Sequence, residues 1–144
     1  MSATQRQEFA PFAVEVEAQR EIVRVCPCGE VDLATVGDVR EQVDELLSAG
    51  FTRVLLDLRQ VSFLDSTGLR LIIEFVRSSR ADGWQFVLID GSAPVRRVFD
   101  VTGLRDQLPF VDAREVALPQ VSRSGGRADA GETIANGAGA ATTR

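Results

Sequence analysis

Apolar residues recur along this chain at two spacings, and the alternation between them predicts its elements. Ala13–Ala18 and Ile22–Cys28 carry spaced apolar residues on either side of Gln19-Arg20-Glu21, the pattern of a β-hairpin. Pro27 has no N–H to give to a ladder, so the second strand is expected to lie at an edge there or to end nearby. Val36, Val39, Val43, Leu46 and Leu47 then follow helical spacing, with Asp38, Arg40, Glu41, Asp44 and Glu45 on the other faces. Asp32 is placed to cap that helix and Gly50 to end it. Val54–Leu58 is a nearly continuous apolar run, as in a sheet centre covered on both faces. Leu69, Ile72, Ile73 and Val76 form a second helical stripe, broken at Asp82-Gly83. Trp84–Ile89 predicts a buried strand ended by Asp90-Gly91-Ser92. Pro94 suits a first helical turn, and Val95, Val98, Phe99 and Val101 carry that helix to Gly103. Leu108–Val111 predicts a last short strand and Ala113–Leu118 a terminal helical turn or two.

The resulting order, β-β-α-β-α-β-α-β-α, predicts an α/β domain: a mixed, mainly parallel sheet of about five strands with helices packed on it. Right-handed crossovers bring the strand-to-helix loops to one sheet edge. Those loops hold Gly29–Asp32, Ser62–Gly68 and Asp90–Ser92. Binding sites of open α/β sheets gather at such carboxyl ends. Residues 1–12 are polar and aperiodic and are expected to be a flexible N-terminus. The folded unit is expected at 13–118. Residues 119–144 are rich in Gly, Ala, Ser and Thr and poor in large apolar side chains, so a disordered tail is expected there.

Composition narrows the chemistry. With 44% apolar and 26% charged residues over 144 positions, the chain has enough apolar surface for one core. No apolar run approaches the roughly 20 residues that span a bilayer, and the first residues do not form a secretory signal. A cytoplasmic protein that does not engage membranes is expected. A net charge of −5 without a basic patch disfavours nucleic acid as a partner. All 16 basic residues are Arg, which excludes a catalytic Lys and a Walker-type phosphate loop. The chain has no His, so Ser-His and Cys-His nucleophiles and His-ligated metals are absent. Its two cysteines, Cys26 and Cys28, alternate onto one strand face. Nothing at finger-like spacing supplies further zinc ligands, so they are read as small, half-buried apolar residues, with no metal or cofactor.

Asp65-Ser66-Thr67-Gly68-Leu69 is the stretch richest in chemistry. It places a small hydroxyl residue where a strand hands over to a helix, a position that exposes a side chain and offers backbone N–H groups to an anion. Ser66 has two structural readings, helix cap or modification site. A Ser-dependent hydrolase is a further alternative, but no His or Lys base is available. The motif is one residue away from the Asp-Thr-Gly or Asp-Ser-Gly loop of aspartic proteases, and the inserted residue and helical context argue against that likeness. Without a base, Ser66 is expected to be acted upon rather than to act, and the chain not to be an enzyme.

Blocks in order and spacing carry a family resemblance. Gly29-Glu30-Val31-Asp32, Val54-Leu55-Leu56-Asp57-Leu58, Val61-Ser62-Phe63-Leu64-Asp65-Ser66-Thr67-Gly68-Leu69 and the run Pro94 to Leu104 resemble a STAS domain over roughly 13–117. More narrowly, they are similar to bacterial anti-sigma factor antagonists. The resemblance implies binding to a cytosolic anti-sigma factor, often itself a serine kinase, with release of a sigma factor in stress or sporulation signalling. It implies that the kinase phosphorylates Ser66 and stops binding, and that a serine phosphatase restores it. Thr67 stands where the family often has Ser. Gly29, Glu30, Asp32, Asp65, Ser66, Thr67, Gly68 and Ser92 are the partner-binding residues expected on this basis. Modules of this kind also act in stress-signalling scaffolds and lipid-transport complexes, the alternative reading.

Overall fold

A computed structural model describes residues 11–116. The expected N-terminal segment, up to residue 10, and the tail at 119–144 lie outside the described residues.

The hairpin forms β1 (Ala13–Gln19) and β2 (Ile22–Val31). They pair antiparallel, with Ala13 opposite Cys28 and Gln19 opposite Ile22. α1 (Val36–Ser48) leads to β3 (Arg53–Asp57), which lies parallel to the first half of β2. The chain then turns and forms β4 (Val61–Leu64) beside the second half of β2. α2 (Ser66–Asp82), β5 (Gln85–Ile89), α3 (Ala93–Thr102) and β6 (Phe110–Val111) complete the order. The sheet has six strands, ordered β1-β2-β3-β5-β6, with β4 paired to β2.

Three differences from the sequence reading have physical causes. The link between Leu58 and Asp65 contains a strand, β4, too short to show period-2 patterning. Its middle residues, Ser62 and Phe63, are both exposed. Pro27 neither ends β2 nor sits at the sheet edge. It lies where β2 passes from β3 to β4, pairing only with β1 at Val14, so no ladder on the far side needs its N–H. The terminal helix at 113–118 is only a 3-10 turn over Ala113–Glu115 in its described part.

Since β2, β3, β5 and β6 are laid down in one direction, right-handed crossovers put the three helices on one face. Val23, Val25, Val54, Leu56, Phe86 and Leu88 point to that face and meet Val39 and Val43 of α1, Leu69, Ile72, Phe75 and Val76 of α2, and Val95 and Phe99 of α3. Val101, expected on the α3 stripe, is 75% exposed. Alternate residues, among them Arg24, Cys26, Leu55, Asp57 and Val87, face the other way. Gly83 ends α2 and Gly103 ends α3, each in the left-handed conformation.

Candidate functional site

The carboxyl ends of β2 and β4 and the start of α2 form one rim. It begins at Gly29, whose φ of +122° coincides with a register shift between Gly29 and Glu30 opposite β4. A side chain is strained in that conformation, so Gly29 is required where β2 changes partner. Its N–H donates to the Gln60 carbonyl at 3.0 Å. Glu30 is exposed, and its carbonyl accepts from the Thr35 hydroxyl at 2.7 Å.

Asp32 closes a tight turn. Its Oδ1 accepts from the amides of Ala34 at 3.0 Å and Thr35 at 3.2 Å, while its own N–H donates to Thr35 Oγ1. The carboxylate therefore reaches the donors expected of a cap, but the regular helix starts later, at Val36. Thr35 takes the cap position but makes no side-chain cap bond there; its hydroxyl donates to the Glu30 carbonyl and accepts from the Asp32 amide instead. The Asp65 N–H donates to the Val31 carbonyl at 3.2 Å, fixing this turn beside the start of α2.

At that start, Asp65 is the cap and Ser66 the first helical residue, so of the two readings of Ser66 the helix cap is removed. Asp65 Oδ1 accepts from Thr67 N at 2.9 Å, Thr67 Oγ1 at 2.7 Å and Gly68 N at 3.1 Å. The Thr67 hydroxyl foremost holds the Asp65 carboxyl below its ordinary value; burial, the next largest effect, opposes it, and the Gly68 and Thr67 amides add to the lowering. The Thr67 and Gly68 amides are therefore not free for an incoming anion. Ser66 is exposed, and its hydroxyl has no hydrogen-bond partner among the described residues.

Gly68 lies beneath this surface. A Cβ there would come within 2.5 Å of Leu64 Cδ1 and 2.9 Å of Val31 Cγ1, so glycine lets α2 settle on the ends of β2 and β4 without displacing Leu64 or Val31. Leu69 is buried in the core. Ser92 is exposed at the start of α3, in a separate loop. That loop is held at Gly91, where a Cβ would lie 2.6 Å from the Leu58 carbonyl, and at Asp90, which pairs with Arg105 at 2.6 Å. The topology thus brings Gly29, Glu30, Asp32 and Asp65–Gly68 into one hydrogen-bonded rim, with Ser92 on the neighbouring loop.

Asp57 does not join them. It is only 2% exposed, on the helix-free face, where Arg59 grips it through Nε at 2.9 Å and Nη2 at 2.7 Å, and Arg24 approaches to 3.4 Å. A carboxylate at the end of an apolar strand is here buried and structural, apart from the rim. Arg96 and Arg97 are exposed on α3, as expected of helix surface.

Two apolar residues of the rim escaped the sequence reading. Leu33 is 78% exposed in the Asp32 turn, and Phe63 is 50% exposed on β4, opposite Glu30 in register. Leu33 stood outside the helical stripe, a signal available in the sequence. Phe63 needed knowledge of β4.

Residues 13–117 match the STAS domain. The chain belongs to the STAS family. The chain is similar to the anti-sigma F factor antagonist of Paenibacillus polymyxa, 30% identical over 109 residues, which are 75% of this chain and 93% of that protein. It is also similar to the anti-sigma-B factor antagonist of Staphylococcus aureus, 27% identical over 103 residues, covering 72% of this chain and 95% of that one. Among solved structures, the anti-sigma factor antagonist SpoIIAA in its unphosphorylated form superposes with a TM-score of 0.60 at 30% identity, covering 72% of this chain and 90% of that one. The Bacillus cell fate determinant SpoIIAA in its phosphorylated form gives 0.56 at 28% identity, covering 72% and 93%. The mixed α/β architecture is that of these STAS structures. No helix among the described residues is long and apolar enough to cross a membrane.

Proposed function

We propose that this STAS protein is an anti-sigma factor antagonist switched at Ser66. Its unphosphorylated rim binds an anti-sigma factor that is also a serine kinase, and so frees a sigma factor. Phosphorylation of Ser66 ends the complex, and a serine phosphatase restores it. The observation that carries this reading is the state of the Ser66 hydroxyl: exposed and unpaired, between an Asp65 and a Thr67 that are bonded to each other. Similarity to antagonists, one of them solved in a phosphorylated form, supports it. The chain acts as a binding protein, since no His or Lys is present to activate Ser66 as a nucleophile.

A phosphoserine adds about −1.5 to −2 charge at neutral pH. Here it meets the Asp65 carboxylate, which already holds the two nearest amides. A partner matched to a neutral, exposed hydroxyl would have to bury unneutralised charge. A 100-fold loss of affinity needs only about 2.7 kcal/mol, within the range of one desolvated, mispaired charge.

The test is incubation with the candidate kinase and ATP, with the phosphate mapped by mass spectrometry. Ser66→Ala should bind the anti-sigma factor constitutively, and Ser66→Asp should bind at least ~10-fold more weakly. Equal affinity of both variants and the parent would remove Ser66 as the switch. Recovery of transporter subunits in place of an anti-sigma factor would favour the lipid-transport reading instead.

A further inference from the structure

The helix-free face of the hairpin holds a second cluster of chemically active side chains. Cys26 and Cys28 alternate onto that face, and the β1–β2 register sets Glu15 directly opposite Cys26. One Glu15 carboxylate oxygen and the two sulfurs all lie within 4.8 Å of one another. Cys26 is buried, Cys28 half-buried and Glu15 exposed, so the cluster opens to solvent from one side. Both cysteines are free, and the Cys28 thiol donates to the Cys26 carbonyl at 3.4 Å. Glu15 makes no ion pair among the described residues.

We propose that Glu15, Cys26 and Cys28 bind a thiophilic divalent cation, Zn2+ foremost, with a fourth position left to water. Two thiolates and one carboxylate are a donor set that zinc accepts, and three protein ligands plus water complete a tetrahedron. Thiolates sharing one zinc sit about 3.8 Å apart, given Zn–S bonds of about 2.3 Å. The donors, now within 4.8 Å of one another, must close by up to about 1 Å to reach that spacing, on a backbone held by β1–β2 pairing. Binding releases the two thiol protons to solvent, leaving two thiolates and one carboxylate on the cation.

Burial first, then the Asp57 charge, push the Cys26 thiol up to about 12, and burial and then Glu15 raise Cys28, so both thiols stay protonated in the apo protein and a cation must displace their protons at that cost. The charged groups facing the cluster are Glu15 and Glu17 from β1, Arg24 from β2, which pairs with Glu17 at 3.5 Å, Asp57 from β3 and Arg59 just beyond it. Asp57 is already answered by Arg24 and Arg59, and Glu15 is left to compensate a cation. Because both protons must leave, affinity rises by about 100-fold per pH unit while both thiols remain protonated in the apo protein.

The full chain is reduced, freed of reductant and titrated with Co2+ under anaerobic conditions, with Zn2+ as competitor. The chain has no His and only these two cysteines, so thiolate-to-cobalt charge transfer reports on this pair alone. One cobalt per monomeric chain, tetrahedral ligand-field bands, displacement by Zn2+ and the stated pH slope are expected. Cys28→Ser should lose the charge-transfer band, and Glu15→Gln should weaken binding at least ~10-fold, both with an unchanged circular dichroism spectrum. No charge-transfer band, unchanged affinity in Glu15→Gln, or half an ion per chain in a dimer would each overturn the three-ligand site. The Glu15→Gln arm removes no core atom, so it remains informative if a cysteine variant folds poorly.

Discussion

Asp65→Ala should destabilise the domain in a pH-dependent way. The Asp65 carboxylate takes the Thr67 and Gly68 amides and the Thr67 hydroxyl at the start of the longest helix. Removing an N-cap costs about 1 kcal/mol, within a range of about 0.5–2. With a urea m-value of about 1.5 kcal/mol/M, the midpoint falls by about 0.7 M at pH 7. The folded Asp65 carboxyl titrates below its ordinary value of 3.8, so its contribution is present in full above that value. It fades as pH falls through the lower folded value. The penalty of the Ala variant, measured against the parent in urea, should therefore shrink between pH 7 and about pH 3. Asp65→Asn keeps an acceptor oxygen without charge. It should lose less than half as much at pH 7, and that loss too should shrink in acid as the parent carboxyl protonates. An Ala variant within about 0.3 kcal/mol of the parent at pH 7 would refute the cap. An Ala penalty independent of pH would refute the part assigned to the charge.

Other substitutions separate scaffold from surface. Gly68→Ala should cost about 1–3 kcal/mol in a urea melt, since its Cβ runs into Leu64 and Val31; a neutral result would mean that α2 shifts freely on the strands. Asp57→Ala should cost about 1–2 kcal/mol by leaving half-buried Arg24, whose Nε is already unpaired, with Glu17 at 3.5 Å as its remaining charge partner, while exposed Arg59 turns to solvent and partner affinity stays unchanged. Leu33→Ser combined with Phe63→Ser should leave the melt within about 0.5 kcal/mol and weaken anti-sigma binding at least ~10-fold in calorimetry. Undiminished affinity would move the partner face elsewhere.

The sequence was most legible where one residue type has one structural use. Gly83 and Gly103 end their helices in the left-handed conformation, and Gly50 has a φ of +105° just past α1, all as the breaks in periodicity implied. The stripes of α1 and α2 mark their buried faces because a helix of that length must cover the sheet. Legibility failed where the outcome depended on pairing. β4 is a strand only because β2 extends past β3, and no local pattern records that extension. Asp57 reads as a polar strand end, but two arginines from separate segments make its burial tolerable. Glu15 joins Cys26 through an antiparallel register that spacing within one strand does not reveal.

The choice of cap changes the physics of the proposed switch. A helix start with free amides would draw a phosphate inward and neutralise part of its charge. At α2 the Asp65 carboxylate occupies that place, and its hold on Gly68 N also helps to keep the tightly packed glycine seated. A phosphate on Ser66 therefore has little to gain by displacing Asp65 and meets a like charge if it stays close. It remains outside, on the exposed rim, where a partner surface would have to dehydrate it. The second ionisation of the phosphate should then lie above its usual value of about 6, and Asp65→Asn should lower it. A 31P titration of the phosphorylated parent and of phosphorylated Asp65→Asn measures both. If the parent titrates below the usual value and Asp65→Asn does not lower it further, the amides have been surrendered to the phosphate, and loss of binding must come from a rearranged helix start rather than from exposed charge.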